Sequence, residues 1–139
     1  MIAKYWLLVL GLLPVLSVRA EGTDAAFLQE DGHIQVALRT IGHELLLSIG
    51  DSTSRVLPVQ REGNQYKVPF AATFPIDPAH LTALVESVTA GTVFPSDYIV
   101  EVEACNALGI VYAYEIRGDA SSDLIPCQGR ALPEACYYL

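Results

Sequence analysis

The sequence predicts an α+β domain: an antiparallel sheet of four to six strands with two main helices packed on one face, preceded by a signal peptide. Three observations carry this. Two segments place apolar residues at helical spacing. Two pairs of alternating runs, joined by short polar turns, read as antiparallel strands. The first 20 residues read as a leader and not as part of the fold. With 139 residues, 52% of them apolar and 17% charged, the chain fits one domain and is too apolar to be disordered.

The leader runs from Met1 to Ala20. Lys4 gives a positive start, Tyr5–Leu16 is apolar apart from Gly11 and Pro14, and Val18-Arg19-Ala20 precedes Glu21 as a cleavage site. The apolar stretch is too short for the ~20 residues a membrane-crossing helix needs, and no second stretch of spanning length follows. Residues 21–139 are thus expected to be a single exported domain. Loss of Lys4 and Arg19 with the leader turns a net charge of −8 into −10. A surface that acidic repels phosphate backbones and anionic headgroups, so no nucleic acid is expected to bind this segment.

Residues 24–47 carry the first helix, with Ile34, Leu38, Ile41 and Leu45 spaced by four, three and four. Asp24 is its candidate cap, with Gly32 weakening the first turns and Asp31 an alternative start. Gly50-Asp51 ends it, before a polar turn at Ser52, Thr53 and Ser54. Arg55–Gln60 and Gln65–Phe70 form two strands around Arg61-Glu62-Gly63-Asn64, where Gly63 and Asn64 tolerate the positive φ of a tight turn. Pro58 and Pro69 place these strands at an edge or a bulge. The second helix has Asp77 as cap, Pro78 in its first position and Gly91 just past its end. Leu81, Leu84, Val85 and Val88 form its apolar stripe, with Thr82, Glu86 and Thr89 expected to face water. Tyr98–Glu103 and Ile110–Ile116 are the strongest strand pair. After a loop at Gly118–Asp123, Leu124–Cys127 and Cys136–Leu139 are short candidate strands.

Cys105, Cys127 and Cys136 all lie beyond the leader, where export permits disulfides, and an odd number allows one internal bridge at most. Cys127 and Cys136 are the nearer pair and enclose a loop containing Gly129 and Pro133. Spacing does not decide connectivity, so a bridge from Cys105 to either, or three buried thiols, stays open. No CxxC pair suggests a zinc ribbon.

The chemistry-bearing residues are sparse. His33, His43 and His80 have no HxH or HxxxH spacing, so no metal is expected. Glu101 and Glu103 share one strand face. Two such carboxylates, with a histidine, would suit a small secreted hydrolase, although a solvated outer face explains them as well. No GxSxG, SxxK, Walker or GxGxxG pattern occurs, and neither a cofactor nor a catalytic residue is assigned. Ser52, Thr53, Ser54 and Arg55 offer hydroxyls and a cation to an anionic ligand, or else form a hydrogen-bonded turn. Tyr66, Phe70, Tyr98, Tyr112 and Tyr114 suit core packing, with some of them available to line a pocket.

Two stretches add a resemblance. The first is Ala37-Leu38-Arg39-Thr40-Ile41-Gly42-His43-Glu44-Leu45-Leu46-Leu47, followed by Gly50-Asp51-Ser52-Thr53-Ser54-Arg55-Val56-Leu57-Pro58-Val59. The second joins Tyr98–Cys105, Val111–Glu115, Ile125–Arg130 and Pro133–Tyr137. Together they resemble the extracytoplasmic N-terminal part of membrane-anchored winged-helix transcriptional regulators of the Bacteroidetes. In that family a transmembrane helix and a cytoplasmic winged helix follow. This sequence carries neither, which fits a truncated regulator or a stand-alone relative, and membrane attachment would need an anchor beyond Leu139. The resemblance implies an input domain outside the cytoplasm, without catalytic residues.

The expectation is therefore a non-enzymatic exported domain that senses a small ligand or binds an envelope protein. Its expected working surfaces are His43 with Ser52, Thr53, Ser54 and Arg55, and the Cys127–Cys136 loop with Arg130. The alternatives are the hydrolase built on Glu101 and Glu103, and a structural or inhibitory envelope protein.

Overall fold

The computed structural model describes residues 22–106, 109–119 and 129–139. Its helices and strands follow in chain order as α1 (Gly22–Ser48), β1 (Gln60–Glu62), β2 (Gln65–Lys67), β3 (Phe74–Ile76), α2 (Pro78–Ala90), β4 (Tyr98–Ala104), β5 (Ile110–Ile116), β6 (Leu132–Ala135) and β7 (Tyr137–Tyr138). This is the expected α+β class, with every strand pair antiparallel. The strands are shared among three small sheets, β1-β2, β3-β6 and β5-β4-β7. A bridge from Val56 to Phe70 joins the arms of the first hairpin, and one from Pro69 to Tyr138 ties it to the last sheet. The leader and the candidate strand Leu124–Cys127 lie outside the described residues.

The four-three spacing in α1 does what it implies. Ile34, Ala37, Ile41, Leu45 and Leu46 are buried, while Val36 and Leu28 on the opposite side are exposed. Gly50 stops the helix with φ 82°: its N–H donates to Leu47 O (2.9 Å) and the Asp51 N–H donates to Leu46 O (3.0 Å). That pair of bonds satisfies carbonyls the last turn leaves over, and a left-handed residue is needed to form it. At Gly42 the helix comes so near the strand layer that an added Cβ would lie 2.9 Å from Val56 Cγ2 and 3.2 Å from Phe70 Cε1.

In α2, the Asp77 carboxylate accepts from Ala79 N–H at 3.0 Å and Pro78 occupies the first turn, as expected. One expectation for α2 fails: Thr82 is buried, not water-facing. Its hydroxyl is satisfied within the helix by donating to Pro78 O at 2.9 Å, so it can lie among apolar neighbours. Among the described residues no helix is long and apolar enough to cross a membrane.

Between β1 and β2 the turn is two residues long, and only Gly63, its first central residue, has positive φ (62°). The first expected strand is thereby shifted toward the turn, taking in Arg61 and Glu62, with only Val56 forming a bridge upstream, while the second starts at Gln65 as expected and ends at Lys67. Strands β3 and β6 were not foreseen, since each carries a central proline, Pro75 or Pro133.

The disulfide also corrects the sequence reading. Cys136 bonds Cys105, not Cys127, with a Cα–Cα distance of 5.3 Å. Register decides it: β4 and β7 pair Ala104 with Tyr137, so the next residue on each strand comes face to face, and Cys105 N–H donates to Cys136 O at 2.9 Å. Cys127 lies outside the described residues.

The core lies between the helices and one face of the strands. Ile41, Leu45 and Leu46 from α1, and Leu81 and Val85 from α2, meet Val68, Val102 and Tyr137. Tyr98, Val100 and Val102 of β4 point to this side, and Ile99, Glu101 and Glu103 point away.

Candidate functional site

A cleft of about 810 Å³ lies between α1, the β1–β2 hairpin and β4. Its floor is the outer part of the core: Ile34, Leu38 and Ile41 of α1, Val68, Val85 of α2, and Val100. Tyr138 and Leu139 close one end, and Phe27, Arg61 and Tyr66 stand toward the other.

One carboxylate ties the hairpin to the helix. Asp31 Oδ1 accepts from the Tyr66 hydroxyl at 2.6 Å and from Arg61 Nη1 at 2.8 Å, while Oδ2 accepts from Gln35 Nε2 at 2.8 Å. Its side chain is only 16% exposed, against 28% for Arg61. The Tyr66 hydrogen bond is the main influence holding the Asp31 carboxyl below the usual carboxylate range, with Gln35 and Arg61 acting the same way. Burial first, and then Asp31, push the Tyr66 phenol up to about 12. The Arg61 guanidinium also lies over the Phe27 ring (4.6 Å) and the Tyr66 ring (5.3 Å), and its Nε donates to Gly63 O at 3.1 Å. At the closed end Lys67 Nζ pairs with Glu103 Oε2 at 2.9 Å and stands 4.5 Å over the Tyr138 ring.

Charge around the cleft is unbalanced. Glu30, Asp31, Glu62, Asp97, Glu101, Glu103 and Glu115 border it, against Arg61 and Lys67. Both cations are already spent on Asp31 and Glu103, and Glu115 is held by Arg117 at 3.0 Å. Glu30, Glu62 and Glu101 have no ion pair with any described residue. An apolar floor under an acidic rim favours a ligand with an apolar body and positive charge.

No protein-family model, curated protein or solved structure matches this chain, so no relative's activity bears on the cleft.

The residues singled out from sequence fall differently. Glu101 and Glu103 do share a face and do border the cleft, Glu103 through its bridge to Lys67. His33, His43 and His80 are exposed on α1 and α2, away from the cleft, and no cluster of three metal-ligating side chains occurs among the described residues. Ser52, Thr53 and Ser54 form a turn around Asp51, whose Oδ1 accepts from Thr53 N–H (3.0 Å), Thr53 Oγ1 (3.1 Å) and Ser54 N–H (2.9 Å). Contact with Ser54, chiefly its hydroxyl, brings the Asp51 carboxyl down to about 2. Arg55 and Arg130 are exposed, and none of His43, Ser52, Thr53, Ser54, Arg55 or Arg130 borders the cleft. Of the aromatic group, Tyr66 and Tyr98 line it, while Phe70 packs edge-on against Phe74 at 4.8 Å in the core.

Asp31, Arg61, Phe27 and Lys67 were missed. For Asp31 a signal existed. Phe27, Asp31, Ile34, Leu38, Ile41 and Leu45 form one unbroken four-three stripe, and a carboxylate inside such a stripe needs a partner. Nothing local names that partner, because Arg61 and Tyr66 lie 30 and 35 residues away.

Proposed function

We propose that the chain is a non-enzymatic binding domain that works outside the cytoplasm, with the cleft as its ligand site. The observation that carries this is the pairing of an apolar floor with an acidic rim whose cations are already engaged. Such a site takes up a cationic, partly apolar ligand and offers no polarised nucleophile to it. The leader-like Met1–Ala20 supports the location. The resemblance to the input region of membrane-anchored winged-helix regulators supports a sensory role, in which ligand binding biases whatever α1 and the hairpin contact.

Thermal unfolding in the presence of hexylammonium, spermidine and hexanoate tests the binding reading. The two cations raise the midpoint by mass action, the rise shrinks with added salt, and hexanoate has no effect. Val100→Trp, which fills the floor, removes the shift. No shift with either cation, or an equal shift in the variant, overturns the reading. Its location is tested by mass spectrometry of the cell fractions: an exported chain starts at Glu21, whereas a cytosolic chain retaining Met1 overturns export.

A further inference from the structure

We propose that the cleft is a strand lane, occupied by an extended peptide segment of a partner that adds between β4 and β2, antiparallel to both, with apolar and basic side chains in alternation. This rests on the binding reading above and names the ligand class of the same site.

The lane is defined by what fills its first part. β7 lies between two walls. On one side Tyr137 and Tyr138 pair with Ala104 and Glu103 of β4. On the other, Val68 N–H donates to Leu139 O at 2.6 Å and Leu139 N–H donates to Val68 O at 3.2 Å, with Pro69 bridging Tyr138. Past Leu139 both walls continue, β4 back to Tyr98 and β2 back to Gln65, and the cleft runs between them. Two strands that flank a single strand position stand about 10 Å apart, twice the usual inter-strand spacing.

Backbone polarity fits an added strand. Cys105 N–H donates toward β7, so the alternation of an antiparallel ladder turns the N–H and C=O of Glu103, Glu101 and Ile99 to that same edge. The register slip between β4 and β5 leaves Val111 of β5 as the extra residue, so β4 keeps its alternation. On β2 the two-residue turn makes Glu62 and Gln65 a bonded pair, which turns Tyr66 outward, in step with Val68. Ile99, Glu101 and Tyr66 thus present backbone donors and acceptors to the lane. Among the described residues, no backbone bond reaches them from that side. An unpaired edge of this kind is a template for strand addition.

The faces specify the side chains. An incoming residue opposite Val100 and Tyr66 points inward over Ile34 and Leu38, which requires an apolar side chain. Its neighbours lie opposite Glu101 and Ile99 and point outward, where Glu101 and Glu62 favour lysine or arginine and Lys67 is already held by Glu103. The same charge argument disfavours a second copy of this chain, whose net charge is −8.

The test titrates the purified, oxidised chain with a labelled, end-blocked peptide, Lys-Val-Lys-Val-Lys, at low salt and follows amide exchange. Binding is expected to be saturable and to slow exchange at Glu101, Ile99 and Tyr66. N-methylation of the peptide amides that face Glu101 and Ile99, or exchange of its lysines for glutamates, weakens binding about tenfold or more. Ile99→Pro removes one lane donor while sparing the pairing of β4 with β5, and it weakens binding similarly; Val100→Trp abolishes it. Equal affinity for the N-methylated peptide, or protection elsewhere, overturns the proposal. So does concentration-dependent protection of the same amides without peptide, which would put a second copy in the lane. A peptide that fails where hexylammonium still binds sinks the strand lane alone; failure of both sinks the binding reading as well.

Discussion

Gly42 and Gly32 sit on the same helix and predict opposite outcomes. A methyl group at Gly42 meets Val56 Cγ2 at 2.9 Å, and valine is stiff about χ1 and cannot swing aside. Gly42→Ala therefore destabilises the protein, because overpacking of about 1–3 kcal/mol outweighs a helix-propensity gain of up to about 1 kcal/mol. A methyl group at Gly32 meets nothing within 4 Å, so Gly32→Ala keeps the propensity gain and raises stability by about 0.5–1 kcal/mol. Urea unfolding of the two variants checks both signs; equal effects would refute the close approach of α1 to the strands. At this scale the sequence speaks unevenly. Asp77 with Pro78, and Gly50, announce their roles because a cap or a left-handed turn is a local requirement. Gly42 does not, since its reason is a contact with residues that lie 14 and 28 positions along the chain.

At the scale of elements, the hairpin is docked on α1 by the bonds from Tyr66 and Arg61 to Asp31, and this makes its attachment sensitive to pH. Asp31 titrates below the ordinary 3.8 in the folded chain. Its stabilisation is therefore complete above the unfolded carboxylate's range and is lost as pH falls through that range and below. Tyr66 titrates near 12, above the ordinary 10.0, so its contribution is complete below 10.0 and is lost as pH rises toward 12. Stability measured against pH is expected to fall at both ends. Asp31→Asn flattens the acid limb and Tyr66→Phe the alkaline one; unchanged limbs in the two variants would show that this contact does not hold the hairpin. Helices α1 and α2 and the pair β4–β5 were legible in the sequence, because each shows its own period over seven residues or more. Strands β3 and β6 were not, being three and four residues long with proline inside. The cleft was illegible for a further reason: its walls come from three elements whose relative placement no local pattern encodes.

For the whole molecule, the bond between Cys105 and Cys136 closes a loop across 31 positions. By loop-closure entropy, a link of that span is worth roughly 3–4 kcal/mol. Cys136→Ser should lower stability by about 2–4 kcal/mol, measured under oxidising conditions and compared with the reduced native chain. A thiol titration of the denatured, unreduced chain should find one free sulfhydryl, that of Cys127; a count of three would refute the bridge. The seam that this bond guards has a consequence for biosynthesis. Tyr137, Tyr138 and Leu139 join β4 to the strand that carries Val68, so the central seam is stitched by residues that leave the ribosome after both of its borders. A nascent chain stalled anywhere before them has its hairpins but no closed sheet, and maturation of this domain waits on those three residues.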